Sequence, residues 1–546
     1  QAEYDNPMDR RFHAQPNACR ACGPQIDFYD RQGVAVDTAD ALAETITRLR
    51  AGAVMAVKGL GGFHLAVHAE NEMAVQRLRL RKLREEKPLA LMCADLEIAR
   101  QLAEIDAEEA RLLESPQRPI VLLRKKKPNP IASSVSPRNG YFGIMLPYTP
   151  LHYLLLDGGF TALVMTSGNL SEEPIAIDNN EAFRRLGQIA DGFLVHNRDI
   201  YLRSDDSIVR RAAGQTRPLR RSRGFVPVPV FLKDEQPAVL AVGAELKNTV
   251  CLTRNRQAFV SQHVGDLENA PTHDFFQLTV AHMQRVLEIS PQAVAHDLHP
   301  DYLSTRWARQ QNGLPKIGVQ HHHAHIVSVL AEHRLDGPVI GLAFDGTGYG
   351  PDHAVWGGEV LMADTGSFRR AAHLEYVCMP GATAAIREPW RMALAHLYEA
   401  FGESMWELDL PPLKAVEPSR RGVLQQVIRR RVNAPPTSSL GRLFDAVAAI
   451  TGLRNKVAFE GQAAMELEMA AQGSIAQTGA YPYEWGAGDP ISIPTAPIIR
   501  GVVADVGNGR SVGEISARFH RTLVDLFTDL CRHLRRQTGL NRVALS

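Results

Sequence analysis

His321 and His325 stand four residues apart in the run Gln320-His-His-His-Ala-His-Ile326. On a helix that spacing puts both imidazoles on one face, where they can bind a single divalent ion. Four histidines within five residues are also costly to bury without partners, which favours a metal. His322 and His323 are expected to point elsewhere on the helix. The apolar run Val339 to Phe344 reads as a strand ending at Asp345, a hard oxygen ligand, in the glycine-rich turn Gly346-Thr-Gly-Tyr-Gly350. Backbone N–H groups of such a turn, those of Gly346 and Gly348 included, can face phosphate. Together these residues point to chemistry on a nucleotide.

A second constellation combines Lys58, in Lys58-Gly-Leu-Gly-Gly62, and Lys82, Arg84 and Lys87 with the strand end Thr166-Ser-Gly-Asn169. Lysine and arginine can neutralise a triphosphate, while small hydroxyl and amide side chains orient a bound acyl group or nucleotide. The glycine turn after Lys58 is not a Walker A loop, because it lacks the spacing before Gly-Lys-Ser/Thr. A third set is formed by Asp445, Gly461 and Glu466, whose carboxylates can accept bonds from ribose hydroxyls while the glycine permits close backbone approach.

The 546 residues imply more than one domain, and 45% apolar with 22% charged residues is ordinary for a globular protein. No run of about 18 apolar residues and no leader-like N-terminus is visible, so a cytoplasmic protein without membrane partners is expected. The net charge of +1 gives no global field for nucleic acid. Basic residues nevertheless cluster three times, at Arg77 to Lys87, at Arg124 to Lys127, and at Arg217, Arg220, Arg221 and Arg223, which favours an anionic ligand. Of six cysteines only Cys19 and Cys22 are closely spaced, and a tetrahedral zinc site needs a second pair. The start at Gln1 and the strand-like end Arg542 to Ser546 suggest a piece of a longer chain.

Helical and strand periods alternate along the first half: helices at Thr38 to Ala51, Asn71 to Arg84 and Leu96 to Leu113, strands at Ala53 to Val57, Leu89 to Met92, Ile120 to Leu123 and Ala162 to Met165. That alternation predicts an α/β domain. The proline-rich stretch Arg223 to Pro237 reads as a connection without regular pairing. Beyond it, Ala238 to Val242, a tight loop, and strands near Val250 to Thr253 and Ala258 to Gln262 are weakly echoed by Val339 to Phe344, the Asp345 loop and Val355 to Met362. Two such copies suggest a duplicated, actin-like nucleotide fold.

Several motifs resemble one family. Asn6-Pro-Met-Asp-Arg-Arg-Phe-His13 with Cys19-Arg-Ala-Cys-Gly-Pro24, Lys82-x-Arg84, Lys87-Pro-Leu-Ala-Leu-Met92, Thr166-Ser-Gly-Asn-Leu-Ser171, Gly243-Ala-Glu-Leu-Lys-Asn-Thr249, His296-Asp-Leu-His-Pro-Asp-Tyr302, His321-His-His-Ala-His325 and Asp345-Gly-Thr-Gly-Tyr-Gly350 are similar to the HypF carbamoyltransferases of nickel–iron hydrogenase maturation. The resemblance implies a zinc-finger remnant at 1–30, a YrdC-like α/β domain at 31–230, and a TsaD-like domain of the actin-like (ASKHA) class at 237–546 that is truncated at its C-terminus.

By the same resemblance, Lys82, Arg84, Ser167 and Asn169 are the catalytic set of an ATP- and carbamate-binding site. Lys58, Lys87, Thr166, Arg221, Arg223, Lys247, Gly346, Gly348, Asp445, Gly461 and Glu466 contribute to nucleotide binding. His321, His325 and Asp345 hold a divalent metal, iron or zinc, and Cys19 and Cys22 belong to a structural Zn²⁺ site of the intact parent. Carbamate derived from carbamoyl phosphate is joined to ATP, with Mg²⁺, as carbamoyl adenylate, and the carbamoyl group passes to the C-terminal cysteine of a HypE-type acceptor as a precursor of the cyanide ligand. The alternatives are threonylcarbamoylation of tRNA, which uses the same two fold types, and a nucleotide-binding maturation scaffold that consumes no ATP.

Overall fold

The structure, a computed structural model, describes residues 2–9, 23–170, 173–472 and 478–546. Cys19 and Cys22 lie outside the described residues. The chain divides into two compact units, the first comprising 1–227 and 261–278 and the second 228–260 and 279–546.

The first unit is built on a mixed ten-stranded sheet. In chain order its strands are β1 (Ile26–Asp30), β2 (Met55–Lys58), β3 (Phe63–His68), β4 (Ala90–Cys93), β5 (Ile120–Arg124), β6 (Tyr141–Met145), β7 (Ala162–Ser167), β8 (Gly192–His196), β9 (Ile208–Ala212) and β10 (Gln215–Arg220). In space the order is β1-β8-β2-β3-β7-β4-β6-β5-β9-β10. Both sheet faces are covered. Phe63, Leu65 and Val67 pack on one side, while Ala66 packs with Met55, Val57 and Met165 on the other, so the central strands read as apolar runs rather than alternating ones. The expected strands are all present within one or two residues. The single helix expected over Leu96 to Leu113 is instead two, Leu96–Leu102 and Ala107–Glu114. Asp106 starts the second with a capping box, its side chain accepting from the Glu109 amide while the Glu109 carboxylate accepts from the Asp106 amide, and this local cap overrides the helical period.

The second unit carries two mixed sheets. The first comprises β11 (Val230–Gln236), β12 (Val239–Ala241), β13 (Cys251–Val260), β14 (Ala293–Asp297) and β15 (Lys316–Val319), in the order β11-β13-β12-β14-β15. The other comprises β16 (Val339–Tyr349), β17 (Val355–Ala363), β18 (Phe368–Leu374), β19 (Val377–Cys378), β20 (Pro436–Thr437), β21 (Ile491–Ile493) and β22 (Val543–Leu545). The duplication is visible in the pairing. β12 is antiparallel to β13 and parallel to β14, as β16 is antiparallel to β17 and parallel to β22.

Two expectations are corrected here. The stretch read as an unpaired connection contains β11, which lies antiparallel to β13 at the sheet edge; Pro227 and Pro229 precede it, so no ladder donor is lost. The strand expected to end at Asp345 runs on to Tyr349, with a register shift between Phe344 and Gly348. Asp345 therefore sits in a bulge within a hairpin, which aims its side chain without ending the strand. No helix among the described residues is long and apolar enough to cross a membrane.

The helices Pro389–Phe401 and Leu440–Ile450 contribute to the large core of this unit. His396 is buried there with Nδ1 3.1 Å from Thr495 Oγ1, and burial pushes its pKa down to about 4. Unfolded chains then bind one more proton than folded ones between about pH 6.5 and 4, so this contribution to stability is lost as pH falls through that window. Replacing His396→Gln should flatten the slope of unfolding free energy against pH there by up to about 1.4 kcal/mol per unit. Urea titrations at half-unit pH steps measure it, and an unchanged slope would show the ring to be protonated in the fold.

Candidate functional site

In the first unit, Asn71 caps the helix Glu72–Lys82, which ends at Leu83 in the left-handed conformation (φ 53°). That turn brings the following basic residues back over the end of β7. Lys82 Nζ donates to Ser167 O and Asn169 O, both at 2.6 Å, and to Asn169 Oδ1 at 2.7 Å. Ser167 Oγ donates to the same Oδ1 at 2.7 Å, and Arg84 Nη1 lies 3.4 Å from Thr166 Oγ1. Lys82, Arg84, Thr166, Ser167 and Asn169 thus converge from segments more than 80 residues apart.

Burial, and then the Arg84 charge, hold the Lys82 ammonium well below the ordinary lysine pKa. Burial with Arg79 and Arg220 beside it lowers Arg84 to about 10. Members of the first and third basic clusters therefore act on one place, and an incoming anion would relieve their mutual repulsion. Arg79 braces the loop, donating from Nη1 to the carbonyls of Arg84, Glu85 and Lys87 at 3.0 to 3.2 Å. Lys87 is exposed on the same segment.

Other basic residues are fastened within the fold. Lys58 is buried at the end of β2 with Nζ 3.2 Å from His196 O. Arg221 donates to Phe225 O at 3.1 Å. Arg223 donates to Asp206 Oδ1, Gln117 O and Arg118 O at 2.8 to 2.9 Å and stacks 3.5 Å over the Tyr148 ring. In the second cluster, Lys125 and Lys126 donate to Ser136 O and Arg100 O.

In the second unit the helix His321–His333 starts at Gln320, whose side chain accepts from the His323 amide, and packs on β16. Ligand atoms of His321, His325 and Asp345 all lie within 4.8 Å of one another. His321 Nε2 is 3.3 Å from Asp345 Oδ2; two ligands held at about 2.1 Å by one ion lie roughly 3 to 3.5 Å apart. His321 Nδ1 contacts Asp297 Oδ2 at 2.7 Å and His325 Nδ1 contacts Ser546 Oγ at 2.9 Å. Each ring is thereby oriented through one nitrogen, leaving Nε2 for a metal. Asp345 Oδ2 is buried and accepts no hydrogen bond from any described residue. These features fit a divalent ion. Burial opposes charge on His321, but Asp297 and Asp345 outweigh it and raise the ring to about 9, so a metal here replaces a proton.

His322, expected to point elsewhere, is fully buried with Nε2 3.9 Å from Asp345 Oδ2, because residues three apart share a helix face as well as residues four apart. His323 does turn away, to Asp364 O. Gly348 is what allows the packing, since a Cβ there would overlap the His322 ring and stand 3.0 Å from His321 Cδ2.

Ser439 caps the helix Leu440–Ile450, and its Oγ also donates to Asp345 O at 2.8 Å and Gly346 O at 2.9 Å. Asp445 is buried on that helix, its Oδ2 3.0 Å from Arg442 Nη2, and burial pushes its carboxyl up to about 6 against the pull of Arg442. Gly346 directs its amide to Asp345 Oδ1 at 2.6 Å. Glu466 is held by Arg454 at 2.7 Å on both oxygens and by Gln462. Gly461 adopts φ 73° before the helix Gln462–Ala471, and Lys247 pairs with Glu460 at 2.7 Å on the surface. Asp297, Ser439, Arg442 and Ser546 were not picked out for this site from the sequence. Asp297 lies in the motif His296 to Tyr302 and Arg442 three residues before Asp445, but nothing local ties either to His321 or Asp345.

Residues 341–546 match the family model described as "Carbamoyltransferase, Kae1-like Domain, second subdomain", 234–332 match "HypF Kae1-like domain", 47–222 match a Sua5/YciO/YrdC model described as "Telomere recombination", and 1–29 match "HypF finger". The sequence is 45% identical to carbamoyltransferase HypF2 of Cupriavidus necator, over 91% of this chain and 66% of that protein. It is 42% identical to carbamoyltransferase HypF of a Synechocystis species, over 95% of this chain and 69% of the relative. The fold superposes on the crystal structure of full-length HypF in the phosphate- and nucleotide-bound form with TM-score 0.94 and 44% identity, covering all of this chain and 71% of that one. The chain thus spans about two thirds of the length of the curated relatives it matches.

Replacing Asp297→Asn should weaken divalent-metal binding by about 10- to 100-fold while leaving the ligands in place. Replacing Gly348→Ala should abolish it. Metal content after dialysis against a buffered Zn²⁺ or Fe²⁺ series reads both, and full retention in Gly348→Ala would refute the packing argument.

Proposed function

The chain belongs to the HypF carbamoyltransferase family, and from that premise we propose that it makes carbamoyl adenylate in its first unit and passes the carbamoyl group to a protein thiol in its second. The observation that carries this reading is the wiring of Lys82 to Ser167 and Asn169 beside Arg84. It gathers two basic side chains, Lys82 and Arg84, beside hydroxyl and amide groups of a size to hold an acyl group.

In the first step a carbamate oxygen attacks the α-phosphorus of ATP. A new P–O bond forms, the bond to the bridging oxygen breaks, and pyrophosphate leaves with the electron pair. Arg84 and Lys82 neutralise the triphosphate, while Thr166, Ser167 and Asn169 orient the carbamate. Mg²⁺ would supply further charge compensation on the phosphates. Burial matters twice, because it strengthens these charge interactions and keeps water from the mixed anhydride.

In the second step the thiolate of the acceptor, the C-terminal cysteine of a HypE-type protein, attacks the carbamoyl carbon and AMP leaves. His321, His325 and Asp345 would hold a divalent ion, which supplies Lewis acidity toward phosphate or carbonyl oxygen. Asp297 and Ser546 fix the two imidazoles. Asp445, on the helix whose N-cap touches the Asp345 bulge, would bind the nucleoside. The nucleotide-bound state of the superposed HypF supports a nucleotide-handling role for this chain.

Carbamate-dependent exchange of labelled pyrophosphate into ATP tests the first step, with carbamate supplied directly. Exchange should fall by about 10²- to 10³-fold in Lys82→Met and in Arg84→Met. Exchange that requires threonine in addition, or exchange undiminished in both variants, would reject the reading.

A further inference from the structure

Arg442 breaks three rules at once. It occupies the first turn of the helix Leu440–Ile450, where the helix dipole opposes a cation. It is 6% exposed, so its charge is largely removed from water. Its Nε and Nη1 donate to no described residue, although buried guanidinium donors are normally satisfied. Among the described residues its ion pair is with Asp445, which compensates poorly, because the 3.0 Å approach of Nη2 to Oδ2 lacks hydrogen-bond geometry and that oxygen has no hydrogen-bond partner among them either. Nothing in the helix itself accounts for arginine here. A conflict of this kind within an otherwise well-packed core points to a ligand rather than to stability.

The surroundings indicate where that ligand lies. Gly441 presses on the Asp345 bulge so closely that a Cβ would stand 2.9 Å from Gly346 Cα, and a Cβ on Gly346 would come within 3.5 Å of Arg442 Nη2. Ser439 Oγ ties the same two segments together through Asp345 O and Gly346 O. Two glycine backbones and one serine thus hold the guanidinium against the strand that carries the metal-ligating carboxylate. The first-turn amides of the helix add partial positive charge on the same side.

We propose that Arg442 is an anion subsite of the second unit, its unpartnered Nε and Nη1 groups donating to phosphoryl oxygen of the adenylate. This rests on the reading that the second unit receives an adenylate. A guanidinium sends fixed N–H groups in several directions, so Nε and Nη1 can donate while Nη2 stays beside Asp445, which the single ammonium of a lysine cannot reproduce. As the thiolate displaces AMP, the departing phosphate gains charge, and Arg442 would stabilise it as it forms.

The test uses the full chain with AMP, adenosine and inorganic phosphate as calorimetric ligands, comparing wild type with Arg442→Met and Arg442→Lys. Substitution of Arg442 should cost roughly 10- to 100-fold in AMP affinity, most in Arg442→Met, at the site that also loses inorganic phosphate, with adenosine affinity changed by less than about twofold. The ratio of AMP to adenosine affinity discriminates, because a loosened helix lowers both ligands alike. Arg442→Lys keeps the charge and carries the test should Arg442→Met fail to fold. An unchanged ratio in Arg442→Lys, or parallel losses for both nucleosides, overturns the subsite. Inorganic phosphate bound through Arg442 with no AMP binding at that site would sustain the anion subsite and reject the adenylate reading.

Discussion

The close approach of the helix His321–His333 to β16 is the contact on which the second unit's chemistry depends. A Cβ on Gly341 would stand 2.6 Å from Ile326 Cγ1, and one on Gly348 would overlap His322. Glycine at both positions lets the helix sit low enough for His321 Nε2 to come within 3.3 Å of Asp345 Oδ2. The β-bulge between Phe344 and Gly348 supplies the complementary motion, turning Asp345 toward the helix while the flanking ladder with β17 persists. Packing distance, rather than any property of the individual side chains, brings ligand atoms of His321, His325 and Asp345 within 4.8 Å of one another.

A second theme is charge placed where it is expensive. Lys82, Arg84, Asp345, Arg442 and Asp445 are all largely withdrawn from solvent, and burial is the leading influence on the titration of four of them. Structural charges in the same molecule are handled differently. Arg223 is surrounded by Asp206, two carbonyls and a tyrosine face, and Glu466 is gripped by Arg454 on both oxygens. The contrast separates Arg223 and Glu466, paired within the fold, from Asp345 and Arg442, whose Oδ2, Nε and Nη1 find no hydrogen-bond partner among the described residues.

Much of this was legible in the chain. The apolar runs that became β2, β4, β5 and β7 are read correctly because a strand covered on both faces needs nothing but continuous hydrophobicity. The histidine pair is read correctly because helical spacing is a local property. The single helix expected over Leu96 to Leu113 is misread because Asp106 and Glu109 cap a new one, and β11 is misread as a connection because its partner β13 lies about 20 residues away. Asp345 does lie close to His321, as expected, but it is misread as a strand terminus, since glycine signals a bulge as readily as a turn.

Residue type and short-range spacing by themselves determined the two chemical constellations, the order of the α/β segments and the family resemblance, because each depends only on neighbours along the chain. Tertiary structure alone decided which carboxylate orients His321, that His322 faces Asp345, that Arg223 and Glu466 serve the fold, and that Arg442 stands buried beside the Asp345 bulge. Those outcomes depend on pairings between residues 12 to 106 positions apart, which no local pattern encodes. The energetic cost of an unpartnered buried charge appears only once the rest of the chain has closed around it.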